Sequence, residues 1–210
     1  MPIATIGEDF AVNTTATSRD WTLPVLGPGP TPSLIALTDG RFVAAWPSID
    51  SDTPFASSTV RGRIFNADGS PAGDDFVLNS TTGGKQIDPS LAALANGRFV
   101  ATWESDETSD GSGTCIRGRV FNADGTPAGD DFILNSTVIG NQSDPSVAAL
   151  ADGRFVVTWE SGDAGDGSSG PCIRGRVFNA DGTPAGDDFI LNSTATGTQF
   201  SPTVTALADG

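Results

Sequence analysis

The chain has 210 residues, a formal net charge of −15 and a pI near 4.1, so its field repels phosphate backbones and anionic headgroups and argues against a nucleic-acid partner. With 26 Gly, 14 Pro and no His or Tyr, the composition is that of turn-rich β structure, and Ser-His and Cys-His catalytic sets are excluded. No apolar run approaches a membrane span and MPIATIGEDFAVNTT lacks the basic and apolar regions of a leader, so we expect no membrane insertion and export without an N-terminal signal peptide.

The chain opens on a partial repeat, 1–30. Gly7-Glu8-Asp9-Phe10-Ala11-Val12-Asn13 aligns with Gly129-Asp130-Asp131-Phe132-Ile133-Leu134-Asn135, so this segment reads as the last strand of a unit followed by an irregular crossover. Three full units follow, 31–87, 88–143 and 144–200, and then a partial one, 201–210, that holds a first strand. Their register is set by ALTDGRFVAAW from Ala36, ALANGRFVATW from Ala93, ALADGRFVVTW from Ala149 and ALADG from Ala206, at offsets of 57, 56 and 57 residues.

Each unit is expected to hold four strands. The first is the Ser146–Leu150 type of run. An Asp-Gly or Asn-Gly dipeptide (Asp39-Gly40, Asn96-Gly97, Asp152-Gly153) suits the positive φ of a two-residue hairpin and leads into the second strand, RFVVTW. The third is the Ile116–Phe121 type, and NADGTPAG turns it into the fourth, Asp130–Asn135. The second strand is apolar on both faces, Phe155, Val157 and Trp159 on one and Val156 on the other, as in a strand covered on both sides. The fold class is therefore all-β: tandem four-stranded antiparallel meanders stacked as β-propeller-like blades, with a linear stack or barrel-like closure as alternatives. One fourth strand, three full units and one first strand leave two strands of a last blade missing, so the ring is partial or completed by other copies.

Several residues stand out within this frame. Trp46, Trp103 and Trp159 occupy one position and are expected to pack between blades. Arg117 and Arg119 alternate on the third strand one hairpin from Asp130 and Asp131, as do their counterparts in the other units, which suggests cross-strand ion pairs; binding of anions or sugar acids is the sharper alternative. The loops after the second strand are acidic, with Asp50 and Asp52, then Glu104, Asp106, Glu107 and Asp110, then Glu160, Asp163 and Asp166. Asp106, Glu107, Asp110, Asp163 and Asp166 are the candidate calcium ligands, because a hard cation takes six to eight oxygens. Their spacing differs between units, as solvated acidic loops would also allow. Cys115 and Cys172 are equivalent positions 57 residues apart, either joined by a disulfide or present as free, partly buried thiols. Asn13, Asn79, Asn135, Asn141 and Asn192 begin Asn-x-Ser/Thr sequons and read as crossover turn residues.

The combination DPSVAALADGRFVVTWES, an Asp/Gly/Ser loop and IRGRVFNADGTPAGDDFILNST resembles the repeats of very large secreted bacterial proteins that carry RTX-type calcium repeats and adhesin modules. The resemblance implies an extracellular or cell-surface location and type I secretion. The chain has no GGxGxDxxx nonapeptide, so that calcium mechanism does not carry over. A paired-carboxylate glycosidase site would have to recur in every near-identical unit, which argues against catalysis. The expectation is a non-enzymatic scaffold or adhesive module whose partners are other copies of itself, further repeats of a longer chain, or glycans. The alternative is a lectin-like, calcium-assisted propeller.

Overall fold

A computed structural model of the protein describes Val12 and residues 32–48, 57–81, 83–107, 113–163, 170–193 and 196–207. Each full unit forms one four-stranded antiparallel sheet with its strands in sequence order. The first sheet holds β1 (Ser33–Ala36), β2 (Phe42–Ser48), β3 (Thr59–Phe65) and β4 (Phe76–Val77). The second holds β5 (Gln86–Ala93), β6 (Phe99–Ser105), β7 (Cys115–Phe121) and β8 (Phe132–Ile133). The third holds β9 (Gln142–Ala149), β10 (Phe155–Ser161), β11 (Cys172–Phe178) and β12 (Phe189–Ile190). Among the described residues there is no helix.

The turns form for the reason their composition suggested. Gly40, Gly97 and Gly153 sit at φ 88°, 82° and 88°, a region open to glycine and costly for most side chains. In the turn between third and fourth strands, Asp68, Asp124 and Asp181 each accept the N–H and hydroxyl of the residue two places on. Two boundaries differ from expectation. The fourth strand shrinks from Asp130–Asn135 to Phe132–Ile133, because the carboxylate of Asp131 and the amide of Asn135 take over what ladder bonds would have done. The first strand begins at Gln142 instead of Ser146, because a bulge lets the chain pass Pro145, which has no N–H to give, and still pair.

The sheets stack face to face. Phe99, Ala101 and Trp103 of the second pack on Val43, Ala45, Val60, Ile64 and Leu78 of the first. Phe155, Val157 and Trp159 of the third repeat this on Val100, Ile116, Val120 and Leu134 of the second. Trp103 and Trp159 are fully buried, and their indole N–H groups donate to the equally buried Gln86 and Gln142 at 2.9 and 2.8 Å. Trp46 is only half-buried. Toward the sheet margin, Phe76 lies so close to Gly125, and Phe132 to Gly182, that a Cβ on either glycine would stand 2.8 and 2.5 Å from the ring. Only glycine admits that approach.

The N-terminal alignment has a structural counterpart. Arg119 donates to the carbonyl of Leu78 and Arg176 to that of Leu134, each reaching the fourth strand of the preceding unit; Arg63 reaches the carbonyl of Val12 in the same way. Residues 201–207 form no strand, yet the Val204 N–H donates to Ser146 Oγ as Leu91 does to Ser33 and Val147 to Ser90.

Trp159→Ala should lower the unfolding free energy by about 3–5 kcal/mol, measured by urea denaturation, since it empties a fully packed site and leaves Gln142 without its donor. The same change at half-buried Trp46, whose unit has Gly29 where the others have Gln86 and Gln142, should cost clearly less.

Candidate functional site at the inner strand edge

The first strands of neighbouring sheets lie against one another, joined by the serine hydroxyls just described, and each carries an x-Pro-Ser step. Opposite that step the register slips: two residues, Asp88-Pro89 or Asp144-Pro145, face one tryptophan. Asp88 and Asp144 at the slip, and Ser201 at the equivalent position of the 201–207 segment, have φ of 50°, 51° and 51°, where non-glycine residues are uncommon and backbone strain concentrates at functional sites. These residues face a common space. A cavity of about 430 Å3, within the range of small-molecule sites, is lined by Pro32, Asp88, Pro89, Asp144, Pro145 and Ser201 with the serines and threonine that follow each proline.

Two glutamates border this edge from the second strands. Glu104 pairs across the ladder with Ile87, and Glu160 with Ser143. Burial, then the charges of Asp88 and Asp144, push the Glu104 carboxyl up to about 8, although the Asp144 N–H bonds to it and works the other way. Burial and Asp144 raise Glu160 against the Ser201 N–H, and burial and Asp144 also raise Asp88. The units are not equivalent here: Pro47 stands where the others have Glu104 and Glu160, and Ser201 where they have Asp88 and Asp144. The chemical result is a carboxylic acid that keeps its proton near neutral pH next to carboxylate charge.

The residues singled out from sequence fall elsewhere. Asp106 accepts the Lys85 N–H. Glu107 pairs with Arg117 at 3.0 Å, and Asp163 holds Arg174 through two bonds of 2.6 and 3.0 Å. Burial works to raise Asp163, but its bonds to Arg174, Ser161 and Cys172 hold it below the usual carboxylate range. Asp110 and Asp166 lie outside the described residues, and among the described ones no three acidic, His or Cys side chains stand together as a metal site. Arg117 pairs with Asp131 at 2.9 Å, as Arg61 does with Asp75 and Arg174 with Asp188. Arg119 does not pair with Asp130; it donates to Gly129 O and Leu78 O.

No disulfide joins Cys115 and Cys172. Both are buried thiols, each directed to a carbonyl in its own sheet, of Glu107 and Asp163. The sequon residues Asn79, Asn135 and Asn192 anchor the crossovers by accepting the N–H of Val60, Ile116 and Ile173. Glu104 and Glu160 belong to the second strands and their border with the cavity edge, not to the acidic loops expected from sequence, and Asp88 and Asp144 join them there. The signal was present in the repeated D-P-S and W-E-S triplets, whose meeting depends on how the sheets stack.

No family model matches the chain, and no curated protein does. Solved structures do. The α-L-arabinanase of Penicillium chrysogenum, complexed with arabinobiose, aligns over 82% of this chain and 47% of its own, at 14% identity and a TM-score of 0.55. The GH93 α-L-arabinofuranosidase of Fusarium graminearum, with arabinobiose, aligns over 77% and 50%, at 11% identity and a TM-score of 0.57. An endo-arabinase of Bacteroides thetaiotaomicron aligns over 77% and 61%, at 19% identity and a TM-score of 0.52. The chain thus spans roughly half the length of these neighbours. The likeness shows the fold, β-propeller-like and all-β.

The neighbours also correct the expectation of a non-enzymatic scaffold, since the architecture is one that carbohydrate-processing enzymes use. The error has a physical source. Near-identical units need not carry one site each, because the inner edge brings non-identical positions of successive units into a single cavity.

Glu104 keeps in the folded chain a proton that the unfolded chain releases above about pH 4.5. Its stabilising contribution is complete below that pH, falls as pH rises, and is gone once pH passes about 8. The thermal midpoint should therefore drop from pH 5 to pH 8.5, with Asp88 and Glu160 acting in the same direction, and Glu104→Gln should flatten much of the slope in calorimetry across that range.

Proposed function

We propose that the chain is a carbohydrate-processing propeller module whose inner-edge cavity receives a saccharide and whose carboxyls act on a glycosidic bond. The observation that carries this reading is the protonated Glu104 beside Asp88 and Asp144, the two carboxyls that line the cavity. Glycoside hydrolysis needs one carboxyl that keeps its proton for the leaving oxygen and one that is charged, and environment alone can separate the two roles. Here Glu104 is the proton donor, and Asp144 is the second carboxyl, placed to activate water or to face the developing positive charge on the sugar. Asp88 adds a further carboxyl to the lining.

The rest of the lining suits a sugar. Serine and threonine hydroxyls offer donors and acceptors, and proline rings present short apolar faces. Among the described residues the lining carries aspartates and no Lys or Arg, which favours neutral over acidic sugars. The neighbours that act on arabinose polymers support an arabinose-containing oligosaccharide as the first substrate to try. The resemblance to secreted bacterial repeats supports an extracellular setting, where such polymers are met.

Incubation of the protein with arabinobiose and arabinan oligosaccharides should release reducing sugar, with the rate falling as pH rises through about 8 and Glu104 loses its proton. Glu104→Gln should lower turnover by roughly 10²–10⁴-fold while leaving saccharide binding by calorimetry largely intact. Binding without turnover in the parent chain would remove Glu104 from catalysis and leave a glycan-receiving site. Absence of both binding and turnover across neutral oligosaccharides would sink the reading.

A further inference from the structure

The two faces of a stacked unit are different, and among the described residues the third sheet has no cover on one of them. In the first sheet Val43, Val60, Ile64 and Leu78 are buried beneath the second, and Val100, Ile116, Val120 and Leu134 of the second are buried beneath the third. Their counterparts on the third sheet, Val156, Ile173 and Val177, are only half-buried. Leu191 is 47% exposed where Leu78 and Leu134 are 0%. Phe189 is 45% exposed, while Phe76 and Phe132, its equivalents, pack against Phe121 and Phe178 of the following sheet and against the glycine of its turn.

We propose that this face of the third sheet, formed by Val156, Ile173, Val177, Phe189 and Leu191, docks a fourth unit of the same repeat whose first strand is the 201–207 segment. The argument is continuity with two interfaces already built. Both present this same set of side chains, and both are covered by a second strand of Phe-x-x-x-Trp type together with an N-A-D-G turn. The polar part of the interface is equally specific. Asp131 accepts the Ser80 N–H at 2.9 Å and Asp188 the Ser136 N–H at 3.2 Å, and Arg119 and Arg176 reach back to the carbonyls of Leu78 and Leu134. On the third sheet Ser193 and Leu191 hold the corresponding backbone positions, so an incoming R-G-R and D-D-F pair fits them.

A second copy of this chain is the poorer occupant. Its own first strand would enter the place that 201–207 already holds through the Val204 N–H to Ser146 Oγ bond, 3.1 Å long, which matches the two inner-edge bonds between the full units. What the face takes is second, third and fourth strands added to 201–207.

The test joins a copy of residues 154–200 to Gly210 and compares this extended chain with the parent by hydroxyl-radical footprinting. Phe189 and Leu191 should become several-fold less reactive in the extended chain, to the level of Phe132 and Leu134. Unchanged reactivity in a folded extended chain would overturn the proposal. A parent chain that sediments as a dimer with Phe189 already protected would overturn it in favour of a second copy. A pair of substitutions in the parent serves even where the extension does not fold. Phe132→Asp should lower its midpoint by more than about 6 °C and Phe189→Asp by no more than about 2 °C. Equal losses would mean that the face is already covered.

Discussion

Everything in this protein depends on one contact made twice: the Phe-x-x-x-Trp face of a sheet lying on the valine, isoleucine and leucine face of the sheet before it. A single four-stranded meander with both faces apolar is not a stable object in water, and burying both requires neighbours on both sides. Trp103 and Trp159 add direction to this non-directional force. Each indole must find Gln86 or Gln142 at the base of its own first strand, because a buried N–H without an acceptor costs about 1–3 kcal/mol. The tryptophan thereby ties the second strand to the start of the first in its own sheet while its ring fills the gap to the preceding sheet. Glycine in the N-A-D-G turn sets how closely the margins approach, since Phe76 and Phe132 leave no room for a Cβ.

The same stacking fixes the inner edge. With the sheets held face to face, the three serine hydroxyls at the x-Pro-Ser steps bridge successive first strands, and the slip opposite Trp103 and Trp159 is the local consequence of putting proline into a paired strand. The positive φ at Asp88, Asp144 and Ser201 is strain sustained by that surrounding structure. Packing thus creates the cavity indirectly. The tryptophan that secures the core sits on the same strand as the glutamate at its rim, so core and site are one residue apart in sequence.

This explains which features the sequence disclosed. The repeat, the four-strand meander, the Asp-Gly turns and the inter-sheet tryptophans are local or periodic properties, and composition and spacing carry them directly. The pairing of Arg117 with Asp131 was also legible, because hairpin register is local. Arg119 escaped that logic: its partner is the Leu78 carbonyl of another unit, and no rule about alternate residues on one strand reveals a backbone acceptor in the next sheet. Glu104 and Glu160 are visible as acids after the expected second strands, and nothing local singles out Asp88 and Asp144. Their convergence follows from the bulge and from stacking, both of which are tertiary. Treating the units as interchangeable also concealed that Pro47, Glu104 and Glu160 are one position with different chemistry.

That inequality is what allows near-identical repeats to make a site that is not repeated. Arginine is placed where charge balance is structural: Arg61, Arg117 and Arg174 pair with Asp75, Asp131 and Asp188 near the outer margin, and Arg41 and Arg154 with turn aspartates. None lines the inner cavity. Acids gathered there without a cation have two ways to relieve their repulsion, separation or proton uptake, and the ladder and the serine bridges prevent separation. The proton settles on Glu104, the position that burial and the charges of Asp88, Asp144 and Asp106 load together, whereas burial and Asp144 act on Glu160. Had the first unit carried glutamate in place of Pro47, or the 201–207 segment aspartate in place of Ser201, the load would have been spread over equivalent acids. The asymmetry places the large rise on Glu104, while Asp88 and Glu160 rise as well, so equivalent positions of near-identical units differ in their hold on a proton.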